Sequence, residues 1–194
     1  MTKQITEFLL EEAGVPKRYW NARLSDFKVD TLSFTKGAHF ICGPVGSGKT
    51  HLMAAVLREK LEKVLYGFTY DNKELAKQIL CQDRCRCRFT TILNMLSEIK
   101  ATFRNEKVTE QMIINKYTKD LDYLFIDDLG IEMVTDWSYT VIYQIIDKIY
   151  GDMAVNLFIV SNYPLSHLKE KLDERITSRI EEMCQITIMG KRDK

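Results

Sequence analysis

Apolar positions along this 194-residue chain switch between two periods. Where they recur every three to four residues they predict helices, and where they run together or alternate they predict strands. Ile5, Phe8 and Leu9 give the first helical stripe, over residues 2–13, closed by Gly14 as a left-handed cap with Pro16 behind it. A turn at Lys36-Gly37 leads into a short apolar run at 38–42, the first core strand. Met53, Val56, Leu57 and Leu61 then share one face of a helix over 49–63. A further helix over 72–82 would turn Leu75, Ile79 and Leu80 inward. Residues 84–89 alternate, so an extended chain puts Cys85, Cys87 and Phe89 on one face and Arg84, Arg86 and Arg88 on the other. Residues 89–93 are β-branched and aromatic and read as a second strand. Asn94 can cap a helix carrying Met95, Ile99 and Phe103, and Thr109 another with Met112, Ile113 and Tyr117 inward. Strands at 121–126, 156–160 and 185–189 alternate with a helix over 136–150 whose core face is Val141, Ile142, Ile145, Ile146 and Ile149. The alternation predicts an α/β fold.

The turn after the first strand changes this picture from architecture to chemistry. Gly43-Pro44-Val45-Gly46-Ser47-Gly48-Lys49-Thr50 reads Gly-x-x-x-x-Gly-Lys-Thr between a strand and a helix, the phosphate-binding P-loop context. Glycines let backbone N–H groups wrap a phosphate, and the following helix N-terminus adds the positive end of its dipole. Lys49 would reach the β- and γ-phosphates, and the Thr50 hydroxyl would ligate Mg²⁺.

Three later segments can complete such a site. Residues 121–126 run into Asp127-Asp128-Leu129-Gly130, acids at the carboxyl end of a buried strand, where active groups of a parallel sheet collect. Asp127 would hold Mg²⁺, and Asp128 would orient or deprotonate an attacking water. The strand over 156–160 ends in Ser161-Asn162, and the Asn162 amide can bind that water or the γ-phosphate if the two strands are neighbours. Arg175 and Arg179 lie four apart on one helical face. They are either surface ion pairs with Glu174, Glu181 or Glu182, or arginine fingers that stabilise charge on a neighbouring subunit's γ-phosphate.

Composition narrows the rest. At 45% hydrophobic and 28% charged, the chain is globular, and a net charge of +1 confines any nucleic-acid contact to a local patch. The arginines of 84–89 are either a solvated face or such a patch. Pro16-Lys17-Arg18-Tyr19-Trp20-Asn21 is basic and aromatic, and reads as an anchoring segment or as a surface beside a nucleotide base or a partner. Cys81, Cys85 and Cys87 have spacing poor for zinc and suit buried thiols. Five cysteines without a disulfide pattern, no signal peptide and no apolar run of membrane-spanning length favour a cytoplasmic protein with no membrane partner.

The ordered set resembles one family, the AAA+ ATPases of the DnaC-type helicase loaders and IstB-type transposition helpers. The likeness is carried by Ala13-Gly14-Val15-Pro16-Lys17-Arg18-Tyr19, by residues 43–51, by 125–130 running on to Trp137, by Ser161-Asn162 and by Glu174-Arg175-Ile176-Thr177-Ser178-Arg179. The resemblance implies a P-loop NTPase core over 36–194, preceded by an N-terminal helix and anchoring segment over 1–35. It implies a five-stranded parallel sheet of order 5-1-4-3-2 with helices on both faces. ATP with Mg²⁺ would be bound by Gly43, Pro44, Val45, Gly46, Ser47, Gly48, Lys49, Thr50 and His51, with Thr50 and Asp127 on the metal. Asp128, Asn162, Arg179 as finger and Arg175 as its neighbour would carry hydrolysis. Loaders of this family assemble on single-stranded DNA and hand a replicative helicase onto it, whereas the IstB branch activates a transposase on duplex DNA. Two departures stand out: only residues 1–12 precede the family-like segment, and the helical lid is reduced or absent, with Arg192 as the remaining sensor candidate. A nucleotide-gated binding module with little turnover and a small-molecule P-loop kinase are the competing readings.

Overall fold

Five short strands form one parallel sheet: β1 (Ala38–Cys42), β2 (Cys87–Thr91), β3 (Tyr123–Asp127), β4 (Asn156–Ser161) and β5 (Cys184–Ile188). Their spatial order is β2-β3-β4-β1-β5, the expected 5-1-4-3-2 read from the other edge, and every neighbouring pair is parallel. The computed structural model describes residues 3–27, 34, 37–66, 73–82, 85–104, 107–131 and 135–191. Arg84, Arg192 and the side chains of Ile79, Leu80 and Cys81, all named above, lie outside that set.

Period-two alternation splits the core into two layers. On one face, Ile41, Phe89, Phe125, Phe158 and Val160 pack with α1 (Lys3–Glu12) and α2 (Lys49–Val64). The chain goes on through α3 (Lys73–Gln82), which packs against α1 and α2. On the other face, Phe40, Leu124, Ile126, Leu157 and Ile159 meet α4 (Ile92–Ala101), α5 (Glu110–Thr118), α6 (Asp136–Asp152), α7 (Leu165–Leu172) and α8 (Glu174–Met183). Register pairs Phe89 with Phe125, Phe125 with Phe158, and Phe158 with His39. Their rings make a ladder across four strands, with centroid spacings of 6.4, 4.7 and 4.7 Å. Such cross-strand pairs hold both sheet and register.

The N-terminal segment shares the core of the P-loop domain. Ile5, Leu9, Leu10, Ala13 and Val15 are buried in the α2 layer, and the Ala13 carbonyl accepts from the Phe89 amide on edge strand β2 at 2.7 Å. The basic-aromatic stretch is the anchor: Trp20 Nε1 donates to the Val15 carbonyl at 2.8 Å, and buried Arg58 of α2 donates to the Trp20 carbonyl. Lys17 and Arg18 lie over the Trp20 and Tyr19 rings.

Five local expectations shift. Strand β2 begins at Cys87, two residues before the predicted start, and α4 is capped by Thr91, whose hydroxyl accepts from the Asn94 amide at 3.1 Å. Asn94 is therefore the capped residue and not the cap. Phe103 falls in a 3-10 turn beyond α4 and is 60% exposed. Thr109 does cap α5, but the buried stripe runs through Ile114 and Tyr117 while Met112 is exposed. On α3, Ala76 is buried and Leu75 faces out.

Candidate nucleotide site

The parallel sheet brings three loops to one edge, the carboxyl ends of β1, β3 and β4. Because β4 lies between β3 and β1, Asn162 sits between the acids and the P-loop. The loop after β1 turns back on itself: Gly46 and Gly48 have φ of 81° and 93°, and Gly48 is the N-cap of α2. Gly43 touches the end of β5 so closely that a Cβ there would lie 2.2 Å from the Met189 carbonyl oxygen.

Lys49 is 5% exposed, and its ammonium donates to the Gly43 carbonyl at 2.8 Å, to Pro44 at 2.9 Å and to the Ser47 hydroxyl at 3.4 Å. Burial lowers its pKa, opposed by the nearby charges of Asp127 and Asp128. Asp127 is 5% exposed and accepts from the Thr50 side chain. Burial first and then the Asp128 charge push its carboxyl up to about 6. A buried carboxylate beside a hydroxyl and a second carboxylate is a hard-oxygen donor set, and it fits Mg²⁺. A buried ammonium inside a backbone loop at a helix N-terminus fits the phosphates of a nucleotide.

Asp128 takes a left-handed backbone, φ 62°, which turns its side chain off the line of β3. Four bonds hold the chain around it. The Asp128 amide donates to Asp127 Oδ1 at 3.0 Å, the Leu129 amide to the Val160 carbonyl at 2.9 Å, the Ser161 hydroxyl to the Leu129 carbonyl at 2.7 Å, and Lys171 Nζ to the Gly130 carbonyl at 2.9 Å. The Asn162 amide nitrogen comes within 3.5 Å of Asp128 Oδ1. The acid and amide singled out in the sequence therefore meet, and together they can hold one water.

Other candidates go elsewhere. His51 Nε2 lies 2.7 Å from Asp26 Oδ2, with its ring edge-on to Tyr19 and Phe27, so it pins the N-terminal segment onto α2. Pro44 and Val45 form the outer rim of the loop, and Val45 is 82% exposed. Arg179 donates to Asp147 at 2.8 Å, to the Tyr143 hydroxyl at 3.0 Å and to the Arg175 carbonyl at 2.8 Å, all on α6 or α8. Arg175 pairs with Asp173 and lies over the Tyr139 and Tyr143 rings. The glutamates named as partners in the sequence are not the ones used. The two described arginines of the row are also paired, Arg86 with Asp122 at 3.0 Å and Arg88 with Glu98 at 3.6 Å. Cys85 and Cys87 bring their sulfurs to 3.7 Å, and among the described residues no group of three or more metal-ligating side chains occurs.

One surface escaped sequence reasoning. Leu93, Lys100, Ile131 and Trp137 line a shallow cleft of about 440 Å³. Phe103 stands edge-on to Trp137 at 5.6 Å, with Lys100 5.9 Å from the same indole. The adjoining Lys100-Ala101-Thr102-Phe103-Arg104, cationic at both ends around an exposed ring, was the available signal.

No family model matches the chain. The replicative helicase loader DnaC of Escherichia coli strain K12 is 25% identical over 138 residues, 71% of this chain and 47% of its own. The chain is thus similar to the DnaC-type helicase loaders. It spans about half the length of the Escherichia coli relative. Among solved structures, the DnaC helicase loader superposes with a TM-score of 0.61 at 20% identity, covering 90% of this chain and 99% of that one. The replication initiator DnaA, solved with AMPPCP and single-stranded DNA, superposes with a TM-score of 0.66 at 17% identity, covering 91% and 51%. The fold is thus the AAA+ P-loop fold. Among the described residues, no helix is long and apolar enough to cross a membrane.

Proposed function

We propose that this DnaC-type chain is an ATP-binding and ATP-hydrolysing accessory of DNA replication in the cytoplasm, a helicase loader that assembles on single-stranded DNA. The observation that carries the reading is a division of the site. Lys49, Thr50, Asp127, Asp128 and Asn162 converge at one sheet edge, whereas Arg175 and Arg179 are bound to α6 side chains. A copy alone holds the phosphate-facing half, and a second copy brings Arg179.

In this reading Lys49 binds the β- and γ-phosphates, and the loop amides fix their orientation. Thr50 and Asp127 hold Mg²⁺, which neutralises phosphate charge when bound. Asp128 accepts a proton from the attacking water while Asn162 orients it. Arg179 of the adjoining copy must leave Asp147 and Tyr143 before it can stabilise charge on the γ-phosphate, so a lone copy turns over slowly. Single-stranded DNA would lie in the Phe103–Trp137 cleft, where the exposed Phe103 ring stacks a base beside half-buried Trp137, and Lys100 and Arg104 meet phosphates. A replicative helicase is the partner the DnaC relatives suggest.

The decisive experiment is the ATPase rate per molecule against protein concentration, with and without single- and double-stranded DNA. The rate should rise with concentration and with single-stranded DNA. A rate independent of both sinks the reading. Nucleotide binding without turnover at any concentration leaves a nucleotide-gated module, which the engagement of Arg179 within its own chain favours as the second reading.

A further inference from the structure

The loops that carry Asp128 and Asn162 are joined by a side chain from neither of them. Lys171, in the last turn of α7, donates from Nζ to the Gly130 carbonyl at 2.9 Å. The same ammonium lies 4.2 Å from the centroid of the Tyr163 ring. Gly130 is two residues beyond Asp128, and Tyr163 follows Asn162 directly. One cation thus grips the acid loop by a carbonyl and the amide loop by a ring face.

Packing around this grip is tight. A Cβ on Gly130 would come within 2.4 Å of Leu168 Cδ2 and 3.3 Å of Tyr163 Cδ2, and Gly130 itself has φ 94°. Leu168 is fully buried, so α7 cannot retreat from the loop without opening the core. On the inner side, Ser161 holds the Leu129 carbonyl and its hydroxyl also accepts from the Tyr163 amide at 3.0 Å. The left-handed Asp128 is therefore bracketed, by β4 on its inner side and by Lys171 two residues on. A lysine that merely finished a helix end would contact its own last carbonyls, whereas this one contacts two other segments, each adjoining a residue of the hydrolytic pair.

We propose that Lys171 is a positioning residue for hydrolysis: it clasps the Gly130 carbonyl and the Tyr163 ring so that Asp128 and Asn162 stay together over one water. This rests on the ATPase reading above. Lys171 touches neither phosphate nor water; it acts through the two loops. A small displacement of a positioned group is enough to slow chemistry while binding survives.

The test uses the whole chain with Lys171→Met, which keeps the aliphatic stem and removes the charge, and Lys171→Arg, which restores a cationic donor. Steady-state hydrolysis, affinity for a fluorescent ADP analogue, thermal melting and backbone hydrogen exchange of nucleotide-free protein are measured on each. In K171M kcat should fall roughly 10- to 100-fold, with ADP affinity unchanged within about twofold. Amides of 127–131 should exchange about fivefold faster, while α2 is unaffected. K171R should recover most of both. Wild-type kcat in K171M overturns the proposal, as does unchanged exchange over 127–131. So does a K171R variant as impaired as K171M, or a loss of ADP affinity and melting temperature as large as the loss of kcat. If the wild type hydrolyses no ATP, the ATPase reading is what falls, and the exchange of 127–131 alone upholds or overturns the clasp.

Discussion

The amide nitrogen of Asn162 lies 3.5 Å from Oδ1 of Asp128, across the gap between the third and fourth strands. The pair should share the water-handling role and leave binding to the P-loop. Asp128→Asn is expected to lower kcat by about 10²–10⁴, and Asn162→Ala by about 10². Both should bind ATP within a few-fold of wild type. Isothermal titration beside turnover assays separates the two, and loss of binding that matches the loss of rate would refute the assignment.

Asp127 gives a pH signature. Its folded-state pKa, about 6, stands above the ordinary carboxylate value of 3.8. Between those values the folded chain keeps a proton that the unfolded chain releases, so the contribution to stability falls as pH rises through that window and is level above it. Asp127→Asn removes the buried charge and should stabilise nucleotide-free protein by roughly 1–3 kcal/mol near neutral pH, with little gain near pH 4. Melting curves at the two pH values check this, and an equal gain at both would contradict it. Magnesium-dependent nucleotide affinity should rise with pH through the same window.

Divided sites predict complementation. Arg179→Ala keeps its own acid, and Asp128→Asn keeps its own arginine. Each alone should be nearly inactive, and an equimolar mixture should recover roughly a quarter of the wild-type rate if copies mix at random. Mixtures no better than the separate variants would rule out an arginine supplied by a second copy. Asp147→Ala, which frees Arg179 from its carboxylate partner, should lower the protein concentration at which turnover begins.

Phe103 is exposed and edge-on to Trp137. Phe103→Ala should weaken single-stranded DNA binding by about 1–3 kcal/mol with no effect on melting temperature. Fluorescence anisotropy with a short oligonucleotide at fixed salt measures it, and unchanged affinity would move the DNA site off this cleft.

Much of the site was legible in the sequence because its parts lie at strand ends. Once 38–42, 121–126 and 156–160 are strands of one parallel sheet, Lys49, Asp127, Asp128 and Asn162 have no choice but to share an edge. What could not be read depends on distant packing. Lys171 looks like any helix lysine until Gly130 is seen beneath it. His51 follows the phosphate loop in sequence, yet Asp26 claims its ring. Phe103 fits the period of α4, but the helix gives way to a 3-10 turn at Thr102 and the ring is left outside. The cap of α4 falls where two polar residues compete: Thr91, already extended at the end of β2, presents its hydroxyl, and Asn94 supplies only an amide.

Asp173 joins α7 to α8 at φ 96°, a torsion suited to glycine, while its side chain caps α8 and grips Arg175. A residue held this way stores about 1–3 kcal/mol. The joint resembles a wound spring clipped shut by the same carboxylate that faces the arginine. Drawing the Arg175 guanidinium outward would leave its amide still donating to Asp173, while the fully buried Ile176 and Ile180 keep α8 seated on α6. The strained joint thus lies beside the two arginines, in the core layer on the opposite side of the sheet from the aromatic ladder.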